Sequence, residues 1–389
     1  MRIAIDGRFI SHPQMGGFKV YTENLVRNLA RLGAEHTYLV YLDRPRPDLG
    51  ALSAPNVELR IVPGTFPYLG MPWREQVRLP LRARRQGAEL LHFPCLTGAL
   101  ASPCPTAVTI FDIIWATRIA PEWWQSPKRL ALALHMRYVP ALMIRRARAV
   151  ITISQAARRD LVERLGVPAG KVHVTPVAAN PAHRRLDDPA ALAALRHKYR
   201  LGSEFILGLG SADPRKNIDG LIRAYARLGD DLKGRYELVV AWCHDYLEDG
   251  LRRLIRELGL GERVRFIDDV PDPELTALYN AASLFVFPSR YEGFGFPPLE
   301  AMACGTPVVA GDNSSFPEVL GDAALLVNVG GDAAPLAGAM ARVLSDEGLR
   351  ATLVARGCER VRRYSWERCA AATLAVYAEV VAEAKGAGR

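Results

Sequence analysis

Phe287–Ala310 reads FPSRYEGFGFPPLEAMACGTPVVA, and the order of its parts decides the fold class. An apolar run, Leu284–Phe287, leads into it, and a second, Pro307–Ala310, closes it. Between them stand a Gly-Phe-Gly turn at Gly293–Gly295 and a Pro297-Pro298 pair that opens a helix running to Cys304. Proline fits the first turn of a helix because the N–H it lacks would have no partner there. Strand, glycine turn, helix and strand form the repeating unit of a parallel sheet. Glu292 and Glu300 flank the turn, the first on the loop and the second in the early helix. Glycines at Gly293 and Gly295 allow close approach of a ligand to the backbone, and a helix start offers free N–H groups to an anion. Two carboxylates beside such donors suit the hydroxyls of a sugar and a ribose. Taken singly, the same glutamates would be a solvated loop residue and a helix-start residue favoured by the macrodipole.

The pattern continues in both directions along the 389 residues. Toward the N-terminus, strand runs are predicted at Arg2–Asp6, Tyr38–Leu42, Val57–Val62, Glu89–His92, Ala107–Phe111, Ala149–Ile153 and Val172–Thr175. Helices are predicted over Gly17–Leu32, Trp73–Gln86, Ser126–Arg146 and Gln155–Leu165. A second series has strands at Phe205–Leu209, Glu237–Ala241, Val264–Ile267, Leu284–Phe287 and Pro307–Ala310, with helices at Asn217–Leu228, Tyr246–Leu258 and Pro273–Ala281. Such alternation implies two doubly wound parallel sheets with ligand sites at the carboxyl ends of their strands. The boundary is expected within Val177–Leu201, which holds Pro181, Pro189 and the charged Arg184–Asp188 run.

Composition narrows the function classes. No run approaches the roughly 20 apolar residues of a spanning helix, and MRIAIDGRFI lacks the features of a secretory leader. The six cysteines show neither a CxxC pair nor a histidine at zinc spacing, so buried free thiols are expected and a structural metal is not. A cytoplasmic protein follows, either free or peripheral at the inner face of the membrane. Residues 1–180 carry 24 Lys and Arg against 12 Asp and Glu, whereas residues 181–389 carry 26 against 29. The first half therefore suits an anionic partner such as a nucleotide or an anionic membrane surface. Arg74, Arg78, Arg82 and Arg85 would align on one helical face, although Pro80 interrupts that helix. A solvated face and a lipid-docking face both fit them. Nucleic acid is not expected as a partner, since no aromatic-basic platform is present.

The Phe287–Ala310 segment resembles the Glu-x7-Glu motif of retaining glycosyltransferases of family four, which have the GT-B fold. Other segments carry the same resemblance in the same order. They are Gly16-Gly17 with Val20–Leu25, WREQVRLP at Trp73–Pro80, LLHFP at Leu90–Pro94, Ile151–Ser154, GSADPRKN at Gly210–Asn217 and YSWE at Tyr364–Glu367. The resemblance implies an α/β protein of two Rossmann-like, doubly wound domains facing a cleft. Residues 1–180, with 365–389 returning to them, would take the acceptor, and 181–364 the nucleotide-sugar donor. It implies transfer to an acceptor hydroxyl in polysaccharide, glycolipid or secondary-metabolite glycosylation, without a metal or other cofactor. The alternatives are a nucleotide-sugar hydrolase or epimerase of the same fold, and a sugar-nucleotide-binding protein without catalysis.

Residue by residue, the resemblance places Arg215 and Lys216 on the donor's diphosphate, a task suited to a guanidinium fork and a point charge at a strand end. Gly16, Gly17, Gly293, Phe294, Gly295 and Glu300 would complete donor binding, with Glu292, Arg215 and Lys216 catalytic. One departure stands out. Phe111 occupies the position where the family commonly has a histidine that meets the donor sugar, while Asp112 beside it is kept. A phenyl ring there either suits a donor lacking a hydroxyl at that edge or merely packs. His92, at a strand end, is a candidate to supply the missing hydrogen bond.

Overall fold

The computed structural model describes residues 1–12, 16–46, 50–64, 70–117, 127–242 and 249–386. They form two compact units, Met1–Val177 with Ser365–Arg389, and Ala178–Tyr364. The first unit is built on seven strands: β1 Arg2–Asp6, β2 Thr37–Leu42, β3 Val57–Ile61, β4 Leu90–Phe93, β5 Thr106–Thr109, β6 Ala149–Thr152 and β7 Val172–Val174. They are ordered β3-β2-β1-β4-β5-β6-β7 and pair in parallel throughout. β4, β5 and β6 are buried at every residue, which explains why they show no alternation of buried and exposed positions: in a parallel sheet covered on both faces no position is left for water.

The second unit repeats the plan with β8 Phe205–Gly210, β9 Glu237–Trp242, β10 Val264–Asp268, β11 Leu284–Phe287, β12 Val308–Gly311 and β13 Leu325–Val327, in the order β10-β9-β8-β11-β12-β13. Leu221, Tyr225, Leu238, Val240, Val286 and Met340 form the centre of its core. In both sheets the winding direction reverses beside the first strand, between β1 and β4 and between β8 and β11. Crevices at such reversals, outside the carboxyl ends of the strands, are the usual ligand sites of open α/β sheets.

Two sequence expectations need correction. Pro80 does not break the helix near Trp73. A π-turn over Arg74–Arg78 precedes Leu79–Arg85, and the wider ring tolerates a residue with no N–H to give. Arg74 does not join a surface face with Arg78, Arg82 and Arg85. Its side chain is wholly buried and donates to the carbonyl oxygens of Val62 (2.6 Å) and Tyr41 (2.8 Å). The helix predicted from Tyr246 is seen as Asp249–Glu257, and the positions of Tyr246, Cys243 and Ser126 lie outside the described residues. The other five cysteines are free thiols, four of them buried.

The last helix, Trp366–Gly386, packs on Gly17–Leu32 of the first unit. Tyr377 reaches His92 Nδ1 at 2.6 Å, and Lys385 donates to Glu89 at 2.7 Å. Among the described residues, no helix is long and apolar enough to cross a membrane.

Candidate active site

In the second unit, the loops leaving β8 and β11 carry the two cations and the first glutamate. Pro214–Lys216 form one tight turn, whose entry is fixed by Asp213 accepting the Arg215 N–H at 2.9 Å. Asn217 then adopts a left-handed conformation (φ 55°) and starts the helix Ile218–Ala226. These constraints aim both cations at the neighbouring loop. Arg215 Nη1 donates to the Tyr291 carbonyl (2.7 Å) and to Glu292 Oε1, Lys216 Nζ to the same oxygen at 2.8 Å, and Ser289 Oγ to it at 2.8 Å. Burial pushes the Glu292 carboxyl up, but the Lys216 and Arg215 charges outweigh that and hold it below its ordinary value. Glu292 is therefore ionised.

The glutamate loop is fixed from a third side. Glu292 N–H donates to Ser314 Oγ (3.0 Å), and the Ser315 hydroxyl sits 2.9 Å from the carbonyl oxygens of both Glu292 and Phe294. Gly295 has φ 103°, and a Cβ there would come 2.8 Å from the Phe316 ring, so this turn admits only glycine. Gly293 lies in the same loop. Phe294 was expected at the donor, but its ring is 2% exposed and packs on Phe296 and Tyr364. Its ring therefore belongs to the core.

Glu300 occupies a different environment, midway along the helix Phe296–Ala303 and buried. Its Oε2 lies 3.6 Å from His183 Nε2, and among the described residues no Lys or Arg forms an ion pair with it. Burial raises its acid strength threshold to about 8; the Asn180 N–H opposes this, Asp272 adds to it and the Tyr279 hydroxyl opposes it. At neutral pH Glu300 is a carboxylic acid. The two glutamates of one motif thus rest in opposite protonation states, set by cations in one case and by their lack in the other.

The first unit holds a second polar cluster at its β1/β4 reversal, which the sequence did not reveal. Asp6 ends β1 and pairs with Arg74 Nη1 at 2.8 Å and Arg8 Nε at 2.9 Å. Arg8 also donates to Glu75 Oε1, to the Thr97 carbonyl (2.5 Å) and to Cys95 Sγ (2.9 Å). Burial works against ionisation of Asp6, yet Arg74 and Arg8 together hold its carboxyl below the ordinary 3.8. Glu75 Oε2 faces the His135 ring at 3.7 Å. A charged residue terminating an apolar strand was the one available signal, carried by Asp6.

Gly17 opens the helix Gly17–Leu32 and Gly16 precedes it, with open space where a Cβ at Gly16 would stand. Phe111 stacks on Phe18 at 4.5 Å and meets Tyr21 edge-on at 5.2 Å, as a packed ring does. Asp112 accepts the Ile114 N–H at 3.0 Å and so fixes the short turn Ile114–Thr117. His92 must be set aside as a sugar-pocket residue. It is fully buried between Thr109 Oγ1 (2.8 Å) and Tyr377, and burial takes it down to about 3, so it is a neutral member of the core.

Known proteins match both halves of this arrangement. A family profile described as Glycosyltransferase Family 4 matches residues 15–183, and one described as Glycosyl transferases group 1 matches residues 195–360. The MMP alpha-(1->4)-mannosyltransferase of Mycolicibacterium hassiacum is 30% identical over 98% of this chain and 99% of its own length. The chain belongs to glycosyltransferase family 4. The O-antigen chain mannosyltransferase B of Escherichia coli is 36% identical, over 59% of this glycosyltransferase and 60% of that protein. Among solved structures, Anabaena HepE in complex with UDP and glucose superposes with a TM-score of 0.71 at 21% identity, covering 97% of this chain and all of that one. That likeness speaks for the GT-B fold.

Proposed function

We propose that this glycosyltransferase takes a nucleoside-diphosphate sugar in its second unit and transfers the sugar, with retention of configuration, to an acceptor hydroxyl bound by its first. The observation that carries the reading is the convergence of Arg215, Lys216 and ionised Glu292 at the β8/β11 reversal, with neutral Glu300 on the adjoining helix. Arg215 and Lys216 bind the diphosphate and stabilise the negative charge that accumulates on it as the glycosidic bond breaks. The leaving phosphate takes the acceptor's proton on the same face, with Glu292, whose carboxylate is held by Arg215 and Lys216, not acting as nucleophile. Glu292 pairs with both cations and meets the sugar, and Glu300 holds the ribose. No metal takes part. Relatives that are mannosyltransferases make a mannosyl donor the first choice, with a glycan or glycolipid as acceptor.

A thermal-shift panel of UDP-, GDP- and ADP-sugars, mannose donors included, identifies the nucleotide, since a ligand of the native state raises its stability. NMR of the anomeric proton in the product then reads the configuration. An inverted product sinks the retaining mechanism. Hydrolysis that no acceptor diverts would make the protein a nucleotide-sugar hydrolase instead.

The two glutamates should separate in their effects. Glu300→Ala is expected to weaken binding of the free nucleoside diphosphate, while Glu292→Ala preserves that binding and lowers kcat by about a hundredfold, the scale of one lost electrostatic contact in a transition state. Calorimetric affinities beside single-turnover rates test this. Equal losses of diphosphate affinity in both variants would overturn the division of labour.

The first unit also suits an anionic membrane surface, through a face other than the arginines of Trp73–Gln86. Leu134, Tyr138 and Leu142 recur every fourth residue along Pro127–Arg146 and are 48%, 59% and 40% exposed, with exposed Arg145 continuing the stripe. Apolar anchors flanked by cations fit a headgroup layer, where each arginine contributes about 1 kcal/mol. Co-sedimentation with phosphatidylserine vesicles should fall at least severalfold in Leu134→Ser/Tyr138→Ser/Leu142→Ser. Unchanged sedimentation would count against a peripheral location.

A further inference from the structure

Beside Glu300 stands a histidine that the reading so far leaves without a task. His183 is 5% exposed and lies in the segment that follows the unit boundary. Its Nδ1 is 2.8 Å from Thr276 Oγ1, its Nε2 is 3.6 Å from Glu300 Oε2, and its ring meets Tyr279 edge-on at 5.4 Å. The hydrogen-bond pattern fixes the tautomer. Thr276 Oγ1 donates its single proton to the Asp272 carbonyl at 2.9 Å, one helical turn back. It can then only accept from His183, so the imidazole carries its proton on Nδ1. The lone pair on Nε2 is left facing the Glu300 carboxyl.

The groups around this pair come from three elements. The helix Asp272–Ala281 contributes the Asp272 carboxylate and the Tyr279 hydroxyl, and the segment before His183 contributes the Asn180 N–H. Beyond Glu300 on its own chain lies the buried Cys304 thiol, pushed up to about 12 by burial and by Glu300. Burial takes His183 down to about 4 while Glu300 is neutral, and a carboxylate forming at Glu300, 3.6 Å away, raises it again. Neither lysine nor arginine is among these groups, and His183 is the one whose lone pair lies against the Glu300 carboxyl. A carboxylic acid facing an imidazole lone pair is one half of a proton-transfer pair.

We propose that His183 accepts the Glu300 proton when a nucleotide ribose docks, so that Glu300 grips the ribose as a carboxylate and the imidazolium balances it. The proposal rests on Glu300 being the ribose ligand. The ribose hydroxyls donate to the carboxylate and keep their own protons. The acid proton passes from Glu300 Oε2 to His183 Nε2, its O–H bond breaking as the N–H bond forms. The number of protons on the protein is unchanged. Without such an acceptor, ionising Glu300 would send the proton to solvent, and binding would weaken as pH falls. His183 is thus a positioning residue that makes donor binding insensitive to pH in the neutral range.

Titration calorimetry of UDP and GDP at pH 7, in two buffers of different ionisation enthalpy, counts the protons released on binding. His183→Asn retains a side chain able to donate to Thr276 but cannot take up the proton. Relative to wild type it should release close to one additional proton. Its affinity should fall roughly tenfold per pH unit below pH 8 and approach the wild-type value at pH 9. The Glu300→Gln/His183→Asn variant should lose the additional release. Equal proton counts and parallel pH profiles in wild type and His183→Asn would overturn the proposal. A readout on the unaltered protein stands beside it: the 15N shifts of His183 should move from neutral imidazole to imidazolium on saturation with the nucleotide, and a ring that stays neutral would overturn it equally. If Glu300→Gln bound UDP and GDP as tightly as wild type, the ribose assignment itself would fail.

Discussion

Alanine at Lys216 is expected to lower kcat/KM by about a hundred- to a thousandfold, the range seen when a single charge-stabilising donor is removed from a transition state. Lys216 and Arg215 converge on one oxygen of Glu292, and the side chains are 19% and 16% exposed. Water therefore screens them little, and a departing diphosphate would feel both. Replacing Arg215 as well should deepen the loss by less than a second such factor, because groups acting on one charge are not additive. Lys216→Arg should recover part of the rate but not all, since the planar fork cannot reproduce the ammonium position over the Phe287 ring at 4.8 Å. Steady-state kinetics on the donor identified by the thermal-shift panel is the measurement. A double alanine variant with kcat/KM near wild type would show that the diphosphate lies elsewhere.

The largest effect on stability is expected at Arg74. It is wholly buried, pairs with buried Asp6 and holds two carbonyl oxygens. Removing Arg74 leaves buried Asp6 with Arg8 as its remaining ion-pair partner and takes the donor from two carbonyl oxygens, at a cost of about 3 kcal/mol, the lower end for a broken buried pair. Arg74→Ala should show that loss in the urea unfolding of the first unit, while transitions of the second unit keep their midpoint. Acid should act on the same network. Asp6 titrates below its ordinary 3.8 in the folded protein. Its contribution is complete above that pH and disappears as pH falls through the lowered value. A change under about 1 kcal/mol in Arg74→Ala would mean that the surroundings rearrange to satisfy Asp6.

Much of the architecture was legible because parallel strands buried on both faces leave unbroken apolar runs. β1 and β11 have the predicted bounds, and the other predicted strands lie within a residue or two of theirs. β13 escaped notice, since Leu325–Val327 has three half-buried residues at a sheet edge and so little apolar run to read. The helix Glu347–Arg362 escaped for a related reason: only Leu353 and Gly357 are buried, too few to set a period. In the candidate site, Arg215, Lys216 and Glu292 were legible because each follows a strand and a turn-forming residue. Asp6, Arg8, Glu75 and Cys95 were not, since 89 residues separate Asp6 from Cys95 and only the reversal of strand order makes them neighbours. His183 was hidden similarly, 93 residues before the Thr276 that sets its tautomer.

The return of the last helix to the first unit has a consequence for biogenesis. The second unit is one continuous stretch, so it can fold on the ribosome as soon as its final strand and helices emerge. The first unit is synthesised earlier but cannot finish earlier, because Tyr377 and Cys369, which cover His92 and Thr175, follow the whole second unit in sequence. Until then the outer side of Gly17–Leu32 and the β4 and β6 surface beneath the helix remain open to water. The nascent chain thus carries a nearly complete but uncapped sheet through the synthesis of almost two hundred further residues, an interval of about 10–40 s at roughly 5–20 residues per second. Loss of residues 365–389 would leave that surface open permanently, and chaperone dependence should rise sharply in such a variant even though every strand of the sheet is still encoded.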